Sequence, residues 1–232
     1  MLACLAGSLG AADGTAPKET ALAKSPSGIR VSVKMTGPYS QPADLQIICI
    51  LKHVASGDVY QGAAKELNEK VDGVVASLRD RGEFVGELGE TMLFTPPAGS
   101  IPAKRLLVIG LGDGKQLSTG ALRLIGRIAA REAVRLKARH VAWAPVIRDE
   151  GNFNVDVGAG DRAFVEQFIS AYDTERRLQE QGLAPKSSIE DLVVEAGPAY
   201  FEGAVKQIGE GIDSTSADLG GRAAAPYRSI GK

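Results

Sequence analysis

The chain has 232 residues, 44% hydrophobic and 24% charged, with a formal charge of −1. That is ordinary globular composition with enough chain for a sizeable core, and its length suits one domain with tails or with a small second unit. The balanced charge recommends neither nucleic acid nor an acidic membrane surface; aromatic residues, at 5%, are scarce for a base-stacking platform, and no apolar run is long enough to span a bilayer.

Taken in chain order, MLACLAGSLGAADG is small and apolar and then turns polar, like the apolar part and cleavage end of a secretory signal, but no basic segment precedes it. A trimmed signal, which would mean export, and an Ala/Gly-rich tail in a cytoplasmic protein are both open readings. Residues Ala11 to Gly28 are rich in Ala, Gly, Ser, Thr, Lys and Pro and read as a mobile tail, so 1–28 is set apart from a folded domain at 29–215. IRVSVKMT alternates as a half-buried strand does, and LQIICIL after Asp44 is a continuous apolar run typical of a buried strand. Ala64, Leu67, Val71, Val74, Val75 and Leu78 recur at helical spacing, with Gly73 weakening that helix and Gly82 placed to end it.

GETMLFTPP then predicts a short strand stopped by Pro96 and Pro97, and KRLLVIG a buried one. Thr119 to Ala138 is strongly helical, with Ser118 or Thr119 as its cap. HVAWAPVI, with the one tryptophan, reads as a strand, FVEQFISAYDTERRLQEQG as a helix ended by Gly182, IEDLVVEAG as a strand and FEGAVKQIGEGI as a last helix. A loose tail is expected over 216–232. Strands alternating with helices predict an α/β fold, a mixed sheet with helices on both faces.

The sequence RLLVIGLGDGKQ places glycines, an aspartate and a lysine at the end of a strand, where phosphate loops sit. A Walker loop fails, because Gln116 follows Gly114-Lys115 where a Ser or Thr is needed and Ile109 stands where the first glycine should be. The dinucleotide fingerprint fails at its third glycine, which is Lys115. A strand, a tight turn and a helix remain. The simplest reading is that the glycines let the chain turn off a buried strand; the alternative is an anion or nucleotide held by Gly110, Gly112, Asp113, Gly114 and Lys115. Arg123, Arg127, Arg131 and Arg135 recur every fourth residue, each step advancing about 40° around a helix, and form a basic ridge. Like charges at that spacing repel, so acidic side chains on a neighbour, a bound anion or a partner must offset them. Arg123 and Arg127 are the members closest in sequence to the glycine turn.

Elsewhere the chemistry is sparse. Cys4 and Cys49 make no CxxC pair, Cys49 reads as a buried apolar residue, and His53 and His140 as strand-end histidines without a nucleophile motif. Asp149, Glu150, Asp156 and Asp161 surround RDEGNFNVDVGAGD, which lacks EF-hand spacing and reads as a solvated loop.

Several short stretches in order carry a family resemblance. Gly82, Phe84, Gly86, Gly89 and Glu90, then Gly110, Leu111 and Gly112, then Leu122-Arg123 match the pattern of the leucyl aminopeptidase N-terminal domain. The order agrees from about Asp44 to Val141 and more weakly through Asp191 to Val194 and the last helix. The resemblance implies a three-layer α/β/α sandwich, macro-domain-like. It also implies a separate catalytic domain with two divalent metals and the stretch N-T-D-A-E-G-R, which does not occur in this sequence. The expectation is therefore a stand-alone, non-catalytic interaction or regulatory module without catalytic residues, metal or cofactor, partnered by another protein or by itself. A nucleotide- or phosphate-binding module and the detached N-terminal half of a split metallo-aminopeptidase are the alternatives; nucleic acid is the weakest candidate. ADP-ribose recognition, which the resemblance to macro domains raises, is disfavoured because LQIICILKHVASG contains no asparagine.

Overall fold

A computed structural model describes residues 16–54 and 56–222. The signal-like start and the last ten residues, 223–232, lie outside them. Seven strands form one sheet in the order β1-β2-β7-β6-β3-β5-β4. They are β1 Glu19–Ala21, β2 Arg30–Lys34, β3 Leu45–Ile50, β4 Thr91–Phe94, β5 Leu106–Gly110, β6 His140–Ala144 and β7 Asp191–Glu195. The five central strands run parallel, while β1 on β2 and β4 on β5 are antiparallel edges. The sheet is mixed, as expected.

Successive side chains of a strand point to opposite faces, and each face has its own core. Leu45, Ile47, Leu107, Ile109, Val141 and Leu192 pack under three helices: α3 Thr119–Arg135, α4 Val157–Glu180 and α5 Phe201–Gly220. Ile48, Ile50, Leu106, Val108, Ala142 and Val193 pack under the shorter pair, α1 Gly62–Lys70 and α2 Val74–Asp80. Helices on both faces make the α/β/α sandwich. The only tryptophan, Trp143, is fully buried and stacks on Phe164 of α4, ring centroids 3.7 Å apart.

The helices depart from the sequence pattern in three places. The helix expected through Gly82 breaks into α1 and α2, because Gly73 adopts a left-handed φ of 73° and Asn68 turns its Oδ1 to the amide of Ala76. Helix α4 starts at Val157, seven residues before the expected start at Phe164, with Asp156 capping the amide of Ala159. Helix α5 runs on to Gly220, past the proposed tail boundary. At the other end, β1 lies inside the segment expected to be a mobile tail. It is held by the backbone of β2 and by Lys18, which pairs with Glu202 and sits over the Phe201 ring.

Candidate functional site

The glycine turn after β5 is closed by a second glycine segment. A Cβ at Gly110 would lie 2.1 Å from the carbonyl oxygen of Glu87, so only glycine allows this approach. The amide of Gly89 donates to Gly110 O, that of Gly110 to Glu90 O, and that of Gly112 to Gly86 O. The Glu90 carboxylate accepts from the amides of Gly86 and Glu87 at 2.7 and 2.9 Å. Phe84 anchors the segment in the core beneath α1 and α2. The two stretches singled out separately in the sequence thus form one physical device, a loop latched onto a strand end.

This latch and the turn beyond it engage several of the amides an anion would need, those of Gly110, Gly112 and Lys115 among them. Leu111 N donates to Ile50 O, and Gln116 N to Asp113 O. The side chain of Asp113 caps the short 3-10 turn Gly114–Gln116 through the amide of Lys115. Gly114 O accepts from the side-chain amides of Asn152 and Asn154 at 2.7 and 2.8 Å. Gly112, Asp113, Gly114 and Lys115 do line an open cleft with Lys52 and His53, but Arg123 and Arg127 are not in its lining. Those arginines turn to α4 instead. Arg123 pairs with Glu166 at 3.0 Å, Arg127 donates to Gln167 Oε1 at 2.7 Å, and Arg131 reaches Glu175 at 3.7 Å. Acidic side chains of a neighbouring helix offset Arg123 and Arg131, one of the three ways open to the ridge, and Arg135 pairs with Glu132 of α3 itself. The structure therefore brings the glycine-turn residues together and leaves the two arginines elsewhere.

The histidines sit where strands begin or have just ended. His53 meets Asp58, which also holds Arg79, a residue only 1% exposed. His140 meets Asp191 at the sheet's amino edge. The acidic segment is a loop up to Asp156, exposed at residues 151, 153, 154 and 156, but its carboxylates are engaged with the fold rather than with solvent alone. Asp149 accepts from the amide of Ala64 at the start of α1, and Glu150 accepts from Leu51 N at 2.7 Å. Burial pushes the Glu150 carboxyl up to about 8. Asp156 caps α4, and Asp161 is buried within it. Glycines at 151, 158 and 160 disguise these roles by making a folded segment read as a loop. Among the described residues, no three His, Cys, Asp or Glu side chains converge as a metal site would require.

A second cavity, of about 440 Å³, opens at the carboxyl ends of β2, β6 and β7. In open α/β sheets this end of the strands is where ligands bind. Its wall includes Trp143, Leu122 and Val155, together with Tyr39, Arg148, Asp161 and Glu195. The guanidinium of Arg148 donates to the carbonyls of Asn152 and Val155. Glu195 accepts from Gln46 Nε2 at 3.1 Å through one oxygen, and the other has no partner. Burial pushes the Glu195 carboxyl up to about 8 and holds that of Asp161 well above the usual carboxylate range. Sequence reasoning missed this site, because the β2, β6 and β7 ends that build it are far apart along the chain.

Known proteins agree with this architecture. A probable cytosol aminopeptidase from Syntrophotalea carbinolica is 32% identical over 177 residues, 72% of this chain, and the chain spans about a third of that relative (35%). A tomato leucine aminopeptidase mutant matches with a TM-score of 0.60 at 18% identity, over 90% of this chain and 38% of that one. The macrodomain of Oceanobacillus iheyensis, solved with ADP, matches with a TM-score of 0.59 at 8% identity, over 86% of this chain and 100% of that one. These two likenesses establish a macrodomain-like fold. The model of the cytosol aminopeptidase family, N-terminal domain, matches residues 53–172, a span that takes in the whole glycine latch, and the chain belongs to that family.

Proposed function

We propose that the chain serves a cytosol aminopeptidase as a non-catalytic N-terminal module, contributing association rather than peptide hydrolysis. The observation that carries this reading is the family match over residues 53–172. The acidic side chains of the chain support it. Asp44, Asp58, Asp149, Glu150 and Asp156 hold backbone amides or ion pairs within the domain, which commits them to the fold rather than to metal ions or water. The partner is the remainder of an aminopeptidase chain, because in the Syntrophotalea relative the matched region shares one polypeptide with the other two-thirds.

Sedimentation velocity tests this with the purified chain and the part of the Syntrophotalea relative beyond the matched region. The expected result is a heteromeric complex, with no cleavage of a leucyl chromogenic substrate by the chain alone in manganese. Chelator-sensitive turnover by the chain alone would overturn the non-catalytic role. Failure of the two proteins to associate at tens of micromolar would overturn the association role. A nucleotide-binding reading draws on the ADP-bound macrodomain of the same fold; ADP binding by the purified chain, followed calorimetrically, decides it.

A further inference from the structure

We infer that the cavity at the ends of β2, β6 and β7 is a binding site for a small organic cation, an ammonium group on an apolar body. The cavity, about 440 Å³, falls in the size range of small-molecule sites. Most of its wall is apolar, and Trp143, Leu122 and Val155 offer a surface for a hydrocarbon body. Two side chains in the wall are out of keeping with that surface. Asp161 is 1% exposed and neither carboxylate oxygen has a hydrogen-bond partner; Glu195 is 3% exposed and its Oε1 has none.

Their placement argues against a purely structural role. Asp161 lies on the stripe of α4 that continues through Phe164 and Phe168, the stripe facing the sheet, where an apolar residue would pack better. A buried acceptor without a donor is costly, and such groups in native proteins call for an explanation. Asp161, on the α4 side of the sheet, is the carboxyl that an ammonium would meet there, supplying the donors and the charge that it lacks, whereas Glu195 follows Val193 on the other face. Asp149 and Asp156 add acidic groups to the wall. Arg148 is the cation in the lining, and its guanidinium is already turned to two backbone carbonyls. An anionic ligand would meet acidic groups spread along the wall and find that arginine engaged. A divalent metal is a poorer fit, since among the described residues no three His, Cys, Asp or Glu side chains converge.

Three probes of one shape and different charge test the proposal: cyclohexylamine, cyclohexanol and cyclohexanecarboxylate, each titrated into the full chain and followed by calorimetry and by melting. The amine is expected to raise Tm by about 3–6 °C at ten times its Kd, and the alcohol and the carboxylate to bind at least tenfold more weakly. Asp161→Asn keeps the side-chain shape and removes the charge. It is expected to melt no lower than the parent and to lose at least tenfold in amine affinity. Should that variant not fold, Asp161→Ser, smaller and uncharged, reports on the same carboxyl with the same expected loss. Equal binding of amine and alcohol, preference for the carboxylate, absence of amine binding at about 50 mM amine, or full amine affinity in a folded variant would each overturn the proposal. Binding of ADP in this cavity with the amine excluded would overturn it as well.

Discussion

Glycine 110 is the residue on which the family pattern has its clearest physical meaning. Its Cα faces the Gly86–Glu87 peptide so closely that an added Cβ would stand 2.1 Å from a backbone oxygen and 2.5 Å from a backbone carbon. No flexible side chain can give way there. Gly110→Ala is expected to destabilise by about 3 kcal/mol or more, at the upper end of overpacking costs. Gly209, in the middle of α5, has nothing within 4 Å of its missing Cβ and an ordinary backbone. Gly209→Ala is expected to stabilise by about 0.5–1 kcal/mol through helix propensity. Chemical denaturation of both variants beside the parent checks the pair, and similar effects at the two glycines would remove the latch as the reason for Gly110. Glu195 allows a second residue-scale prediction. Its carboxyl moves from 4.5 to about 8 because burial penalises the charge. Between those values the native chain keeps a proton that the unfolded chain has released, so this group's stability is full at low pH, falls as pH rises through the window, and levels off above about 8. The slope is at most about 1.4 kcal/mol per pH unit. Glu150 shifts in the same direction, so the parent's profile alone does not isolate Glu195. Glu195→Gln does, since glutamine can still accept from Gln46 and does not titrate. The Tm difference between variant and parent should be small near pH 5 and widen in the variant's favour towards pH 8; a difference independent of pH would show that Glu195 is not held protonated.

At the scale of elements, the buried parallel strands were legible because a strand buried on both faces reads as an unbroken apolar run, as LQIICI and LLVIG do. Helix α3 was legible for the complementary reason: Leu122, Ile125, Ala129 and Ala133 repeat on one buried face, and Ser118 caps its start. What escaped reading depended on contacts rather than on local pattern. Strand β1 is three residues, ETA, exposed at both ends, and its pairing with β2 leaves no periodic trace. The first two turns of α4 contain Gly158 and Gly160, poor helix formers in isolation. The fold explains Gly158, where a Cβ would come 2.9 Å from Gln207 Cγ of α5 and 3.3 Å from Gly203 O. Gly126 in α3 obeys the same logic, since a Cβ there would fall 2.3 Å from the backbone oxygen of Phe164. Small residues at helix crossings weaken each helix locally so that the layer can close. The basic ridge was visible as a repeat of arginines, but the partners of its first three members, Glu166, Gln167 and Glu175, are about forty residues away on α4, and only Arg135 finds its partner, Glu132, nearby. A one-dimensional pattern could state the need for an offset and leave three candidates for it; only packing chose the acidic neighbour.

At the scale of the whole molecule, the two helical layers share their strands, and that bears on how the chain comes apart. Ile47 belongs to the core under α3, α4 and α5, while its neighbour Ile48 belongs to the core under α1 and α2. The same alternation holds for Leu107 and Val108 and for Val141 and Ala142. Chains longer than about 150 residues tend to unfold through intermediates. Here an intermediate that lost α1 and α2 would uncover Ile48, Val108 and Ala142 on strands whose other face still supported the larger layer. An intermediate that lost the larger layer would strip Trp143 of Phe164 and expose Ile47 and Leu107. Either opening places a hydrophobic sheet face in water, so both are disfavoured by the term that dominates folding. One cooperative transition is therefore expected. Trp143 fluorescence reports the larger layer, near-ultraviolet dichroism sums Tyr39 and Tyr60 of the smaller layer with Tyr172 and Trp143 of the larger one, and far-ultraviolet dichroism follows the helices. The three urea curves should superimpose. If part of the near-ultraviolet signal is lost at lower urea than the tryptophan fluorescence, while the contribution of Tyr172 and Trp143 persists, α1 and α2 open on their own. The latch between Gly86 and Gly110 would then join the two layers less tightly than its hydrogen bonds imply.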